Sequence, residues 1–130
     1  MHSPVLAIRR TPLVAVYGTL KRGLRNHHWL TGAEFIGADT LSDVTLYDLG
    51  HCPGAKAEPS HGIDVELYRV DAQGLRDLDR LEDYRVRAPR NGTYDRIVHR
   101  TAFGLAWLYL YNLDVTGCPA ILAGGWPGTP

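Results

Sequence analysis

The apolar positions of this chain fall into short runs whose period changes along its length. Leu13–Tyr17 (LVAVY) is continuously apolar and β-branched, which predicts a buried strand. Gly18 ends that run abruptly. Lys21-Arg22-Gly23 then leads into Leu24–Leu30, a helical segment or loop in which Asn26 is placed to cap a short helix. Glu34–Leu46 reads as a second strand region, with Gly37 as its bulge or bend. Gly50, Pro53, Gly54 and Pro59 mark Tyr47–Ser60 as an irregular loop. Ile63, Val65, Leu67 and Tyr68 crowd Gly62–Val70 into a third strand.

The period then lengthens. Leu75, Leu78 and Leu81 recur at helical spacing behind an N-capping Asp71, predicting a helix over Asp71–Tyr84. Arg85–Thr93 is polar and broken by Pro89 and by Asn91-Gly92, a strong turn signal. Tyr94–Thr101 and Leu105–Tyr111 bracket Phe103-Gly104 as an antiparallel hairpin. Asn112–Pro130 is rich in glycine and proline and reads as a tail lying on the surface or over a pocket. No repeat, linker or low-complexity block divides the 130 residues, so residues 1–130 form a single domain. Its class is α+β, with more strand than helix.

Composition changes this picture little. The formal net charge is zero, so the chain as a whole is no electrostatic partner for nucleic acid or an anionic membrane. Residues 1–30 do carry Arg9, Arg10, Lys21, Arg22 and Arg25 without an acid, but an apolar strand splits these charges. No apolar stretch approaches the roughly 20 residues that span a bilayer, and Met1–Thr11 has no signal-peptide core. Cys52 and Cys118 are far apart and belong to no C-x-x-C pair, which fits reduced thiols in a cytoplasmic protein.

Two features bear on chemistry. A strand running straight into Gly18 leaves backbone N–H groups of the Tyr17–Leu20 turn unpaired and aimed together, a concavity suited to carboxylates and developing oxyanions. Thr19 adds a hydroxyl. An ordinary strand end closed by glycine gives the same residues. The second feature is Glu82. At about 100° per residue, with Leu75 at zero, Leu78 falls at about 300° and Glu82 at about 340°. The carboxylate thus lies on the apolar stripe, at the negative end of the helix dipole, and both effects raise its pKa. That suits a general acid or base near neutral pH. The alternative is a frayed helix end at which Glu82 pairs with Arg85 or Arg87. Asp79, at about 40°, is a weaker candidate on the same side, and Asp83 faces away.

Trp107, Tyr109 and Tyr111 share one strand face, where they either wall a pocket or pack under the helix. The six histidines show no helical metal-binding spacing, and no phosphate-binding glycine loop is present.

VAVYGTLKRG (residues 14–23) resembles the opening of the γ-glutamylcyclotransferase-like family, especially its γ-glutamylamine cyclotransferase (AIG2-like) branch. Asn26, His27 and Leu30 echo the following segment, and GIDVELYRVD (62–71) looks like the strand leading into the family's helix. LDRLEDY (78–84) looks like the helix end that carries its catalytic glutamate. Tyr94, Arg96 and AWLYLYN (106–112) resemble the closing hairpin. ILAGGW (121–126) resembles a terminal element that often has Asp before Trp, where this chain has Gly125. The matches run in order across about residues 13–126.

The resemblance implies a small mixed β-barrel-like sheet with surrounding helices and a cavity for a γ-glutamyl group. Tyr17, Gly18, Thr19 and Leu20 would bind the substrate through backbone groups, Tyr109 would border it, and Glu82 would move the proton. The substrate's α-amine would attack its own γ-carbonyl, releasing 5-oxoproline and an amine or amino acid, with no cofactor and no metal. A module that holds a small metabolite in the same cavity without turnover is the alternative. A third reading is an interaction protein that uses its basic N-terminal third against an acidic partner. Leaving group and oligomeric state are not set by the sequence.

Overall fold

The computed structural model describes residues 3–126. In chain order these form α1 (Pro4–Arg10), β1 (Leu13–Val16), a 3-10 turn (His27–Leu30), β2 (Glu34–Leu41), β3 (Thr45–Asp48), β4 (Pro53–Lys56), β5 (Ile63–Arg69), α2 (Ala72–Leu81), β6 (Tyr94–Thr101), β7 (Gly104–Tyr111) and β8 (Ala120–Ile121). Five strands make a mixed sheet in the order β2-β5-β1-β7-β6, and β4-β3-β8 make a second sheet. The central strand β1 runs antiparallel to β5 and parallel to β7, where Val14 pairs with Trp107. The result is an α+β fold in which two sheets pack face to face rather than closing into one barrel.

All four residues of β1 are buried because both faces of its sheet are covered. Val14 and Val16 point with Trp107 and Tyr109 into a core shared with Leu75 and Leu78 of α2. Leu13, Ala15 and Tyr17 point the other way, with Ala106 and Leu108, against Leu46 and Ala55 of the second sheet. Complete burial of Leu75 and Leu78 is worth about 1.5–3 kcal/mol each, which fixes the face that α2 turns inward. Asp71 caps this helix as expected, its Oδ1 accepting from the Gly74 N–H at 2.7 Å.

Three expectations are corrected. Glu34–Leu46 is not one strand: β2 ends at Leu41, and Leu46 belongs to β3 in the other sheet. The expected bulge is present, as a register shift between Phe35 and Gly37. Tyr47–Ser60 is not an irregular loop, since it holds the end of β3 and all of β4. Pro53 is tolerated there because β4 is an edge strand. Asn26 precedes the 3-10 turn but makes no side-chain cap.

The N-terminal segment forms the short helix α1, with Pro4 in its first turn. The Trp107 indole N–H fastens it from below, donating to the carbonyls of Ala7 (3.3 Å) and Thr11 (2.9 Å).

A buried ion pair locks α2 to the hairpin. Arg96 of β6 reaches Asp79 through Nε (2.8 Å) and Nη2 (3.0 Å), and the Tyr109 hydroxyl of β7 donates to the same Asp79 Oδ1 at 2.6 Å. The guanidinium also lies over the rings of Tyr84 and Trp107. Burial pushes the Asp79 carboxyl up, while the Tyr109 hydroxyl and Arg96 pull it back. Asp79→Asn should cost about 3–5 kcal/mol in urea unfolding, because a buried guanidinium loses its counter-ion. Asp71→Ala, at an exposed cap, should cost only about 1 kcal/mol in the same measurement.

Candidate active site

Leu81 is the last residue of α2, and the way the helix stops places Glu82. The Tyr84 N–H returns to the Asp79 carbonyl (2.8 Å) and the Asp83 N–H to the Arg80 carbonyl (3.2 Å), the paired bonds of a Schellman motif. Asp83 takes the left-handed conformation this motif requires (φ 52°). Its Oδ2 accepts from the Thr93 N–H (3.1 Å) and hydroxyl (2.9 Å), clamping the helix end to the start of β6. Those bonds hold the Asp83 carboxyl below its usual range. Asp83 borders the cavity rather than facing away, but its carboxylate is committed to Thr93 and Arg85.

Glu82 is left pointing inward. Among the described residues its carboxylate has no hydrogen bond or ion pair, and Arg85 pairs with Asp83 instead. Burial pushes its carboxyl up to about 7. That is the raised pKa expected from its helical phase, with desolvation as the cause.

The turn after β1 faces this carboxylate. The Lys21 N–H closes it onto the Gly18 carbonyl (3.1 Å), and Asn26 braces it twice: its N–H meets the Thr19 carbonyl (3.0 Å) and its Nδ2 the Thr19 hydroxyl (2.9 Å). Among the described residues the amides of Gly18, Thr19 and Leu20 have no acceptor. Glycine at 18 is required by packing: a Cβ there would sit 2.9 Å from Cγ of Pro53, which β4 presses against the turn.

Between turn and helix end lies a cavity of about 270 Å³, bordered by Tyr17, Gly18, Thr19, Leu20, Glu82 and Tyr109. All six candidate residues therefore meet at one place. Two of their hydroxyls are already engaged. Tyr17 donates to the Tyr109 carbonyl (2.6 Å) and Tyr109 to Asp79, so both offer the cavity ring and backbone. Burial raises both phenols, and the charge of Glu82 adds to it.

Several bordering residues are not among the site candidates read from the sequence. His51, Cys52 and Pro53 reach the cavity through the packing of the second sheet, Tyr94 through the hairpin, and Arg25 lies in the segment after the turn. Tyr94 donates to the Pro53 carbonyl at 2.8 Å. Burial raises the Cys52 thiol.

The terminal element runs beside β5, where Gly124 bridges Ile63 and buried Trp126 joins the core. Lys21 donates to the Trp126 carbonyl at 3.4 Å. A Cβ at Gly125 would lie 2.7 Å from Lys21 Nζ, so any side chain at this position would displace the Lys21 ammonium. Asp64 Oδ2 lies 3.8 Å from the same point and keeps a negative charge nearby. Pro127–Pro130, the end of the expected tail, lies outside the described residues.

A mixed sheet whose first strand ends in unpaired amides, across one cavity from a glutamate without a counter-ion among the described residues, frames a pocket of small-molecule size. Comparison with known proteins gives its class. The family described as gamma-glutamyl cyclotransferase, AIG2-like, matches residues 14–128. The gamma-glutamylcyclotransferase family protein YtfP of Escherichia coli (strain K12) is 38% identical over 114 residues, covering 87% of this chain and 94% of that protein. The gamma-L-glutamyl-butirosin B gamma-glutamyl cyclotransferase of Niallia circulans is 31% identical over 108 residues, 79% of this chain and 69% of that one. The crystal structure of an AIG2-like protein from Mus musculus superposes with a TM-score of 0.71 at 26% identity, covering 86% of each chain. The chain belongs to the gamma-glutamyl cyclotransferase, AIG2-like family.

A carboxyl raised in the folded state binds its proton there more tightly than in the unfolded chain. Its contribution is therefore most favourable at low pH and is lost as pH rises through about 7. Glu82→Gln removes that penalty. The variant should be about 1–3 kcal/mol more stable than the parent at pH 8, allowing for partial solvent screening. The gain should vanish towards pH 4.5, which thermal melts across that range will show.

Proposed function

We propose that this protein cyclises small γ-glutamyl compounds, releasing 5-oxoproline and an amine or amino acid, with Glu82 as general base and then acid. The observation that carries this reading is the desolvated, unpaired Glu82 carboxylate facing the unpaired amides of Gly18, Thr19 and Leu20 across one cavity. A largely desolvated carboxylate without a counter-ion costs stability and suits proton transfer. The relative from Niallia circulans, named for a γ-L-glutamyl substrate, supports the substrate class.

In this mechanism the turn amides hold the substrate's α-carboxylate and the γ-carbonyl oxygen. Glu82 takes a proton from the α-ammonium group. The freed nitrogen then attacks the γ-carbonyl carbon, and the amides stabilise the tetrahedral oxyanion. Collapse breaks the bond to the leaving nitrogen, which takes the first proton back from Glu82 and then the one that the ring nitrogen sheds as the lactam forms. Atoms balance without water, because the nucleophile belongs to the substrate. Holding the chain folded for five-membered ring closure supplies most of the acceleration. The rings of Tyr17 and Tyr109 exclude solvent from that geometry.

Incubation with a panel of γ-glutamyl compounds should release 5-oxoproline, measured by mass spectrometry. Glu82→Gln should lower kcat by about 10²-fold or more with little change in KM, and with the fold intact by circular dichroism. In the parent, kcat/KM should fall about tenfold per pH unit below about 7, since protonation removes the base. Full activity in Glu82→Gln, or a flat profile from pH 5 to 7, would overturn the mechanism. Ligand stabilisation without product would favour a sequestering module instead.

A further inference from the structure

The mouth of the cavity carries a positive charge that, among the described residues, has no negative partner. Arg25 borders the cavity beside His51 and Cys52, and its side chain is exposed. Its Nη2 donates to the His51 carbonyl at 2.5 Å, which ties the segment after the turn to the loop before β4 and holds the guanidinium in place. Among the described residues no carboxylate lies within ion-pair distance of it, whereas Arg69, Arg85 and Arg96 each have one. One hydrogen bond leaves most of a five-donor fork available.

The cavity's own acids do not answer this charge. Asp83 is committed to Thr93 and Arg85. Among the described residues Glu82 forms no ion pair with Arg25. Arg25 is exposed and Glu82 is not, so the guanidinium lies at the outer end of the cavity they share.

Resting on the cyclotransferase reading, we infer that Arg25 is a specificity-determining residue: it binds a carboxylate on the leaving side of the substrate, so that γ-glutamyl amino acids are preferred over γ-glutamyl amines. The α-amine belongs at Glu82 and the α-carboxylate at the turn amides, so the rest of the molecule extends towards the mouth. A planar guanidinium matches a carboxylate there in a way that a neutral or cationic amine cannot use.

The test compares γ-glutamyl-alanine with γ-glutamyl-ethylamide, which lacks only the leaving-side carboxylate, and with cationic γ-glutamyl-putrescine. The parent protein should favour γ-glutamyl-alanine over the ethylamide by about 10- to 100-fold in kcat/KM. Arg25→Gln should bring that ratio towards one, Arg25→Lys should keep part of it, and Arg25→Glu should shift preference to the putrescine conjugate. Circular dichroism checks each fold; should Arg25→Gln unfold, the parent's ratio and Arg25→Lys still decide.

Calorimetric binding of the same three compounds to Glu82→Gln reads the preference without turnover. If that preference is present but the parent releases no 5-oxoproline, the proposed reaction fails and the role of Arg25 stands. Equal loss on all three substrates would place Arg25 on the shared α-carboxylate or in the fold and overturn the inference. No parental preference, or no binding, would also overturn it.

Discussion

Two acids three residues apart at the end of α2 meet opposite fates, and the difference organises the site. Asp79 is neutralised twice over, by the Arg96 guanidinium and the Tyr109 hydroxyl. Because those partners sit on adjacent strands β6 and β7, the bonds fix both the depth and the rotation of the helix. Glu82, under one turn further on, is carried inward by that fixed rotation to a place where, among the described residues, no cation pairs with it. A looser helix would let a carboxylate at its C-terminus turn into water. The satisfied pair thus maintains the unsatisfied acid.

The second constraint is the double-sided burial of β1. Its side chains alternate between two cores, so no residue of the strand is free to shift register. The turn that follows is fixed in turn, with Asn26 bracing it from one side and Pro53 closing on it from the other. Unpaired amides would otherwise be satisfied by a small rearrangement of the backbone.

What the chain reveals in advance tracks how local each feature is. The strand LVAV, the helix behind Asp71 and the hairpin around Phe103-Gly104 are legible because period and caps act within a few residues. β4 was not, because Pro53 and Gly54 are turn residues by propensity; they form a strand at a sheet edge, with the Tyr111 ring packed against Gly54. α1 was hidden because seven residues span fewer than two helical turns, and it is held by Trp107 from far along the chain. At the site, the helical phase of Glu82 was readable and the turn was suggested by its glycine. His51 and Cys52 were not, since only the seating of the second sheet brings them to the cavity, and Arg25 joins them through its bond to the His51 carbonyl.

The parallel pairing of β1 with β7 has a consequence for the order of assembly. Val14 is made early and Trp107 late, so the loop closed between them spans most of the chain. Closing a loop of that length costs entropy before contacts return it, and such non-local pairings form slowly. On the ribosome the turn emerges long before Tyr109 and so has no rigid wall opposite. Only when the closing hairpin has emerged do Tyr109, Arg96 and the pinned helix enclose a cavity. The cavity therefore exists only once the hairpin has closed on the turn, and its presence reports completed folding.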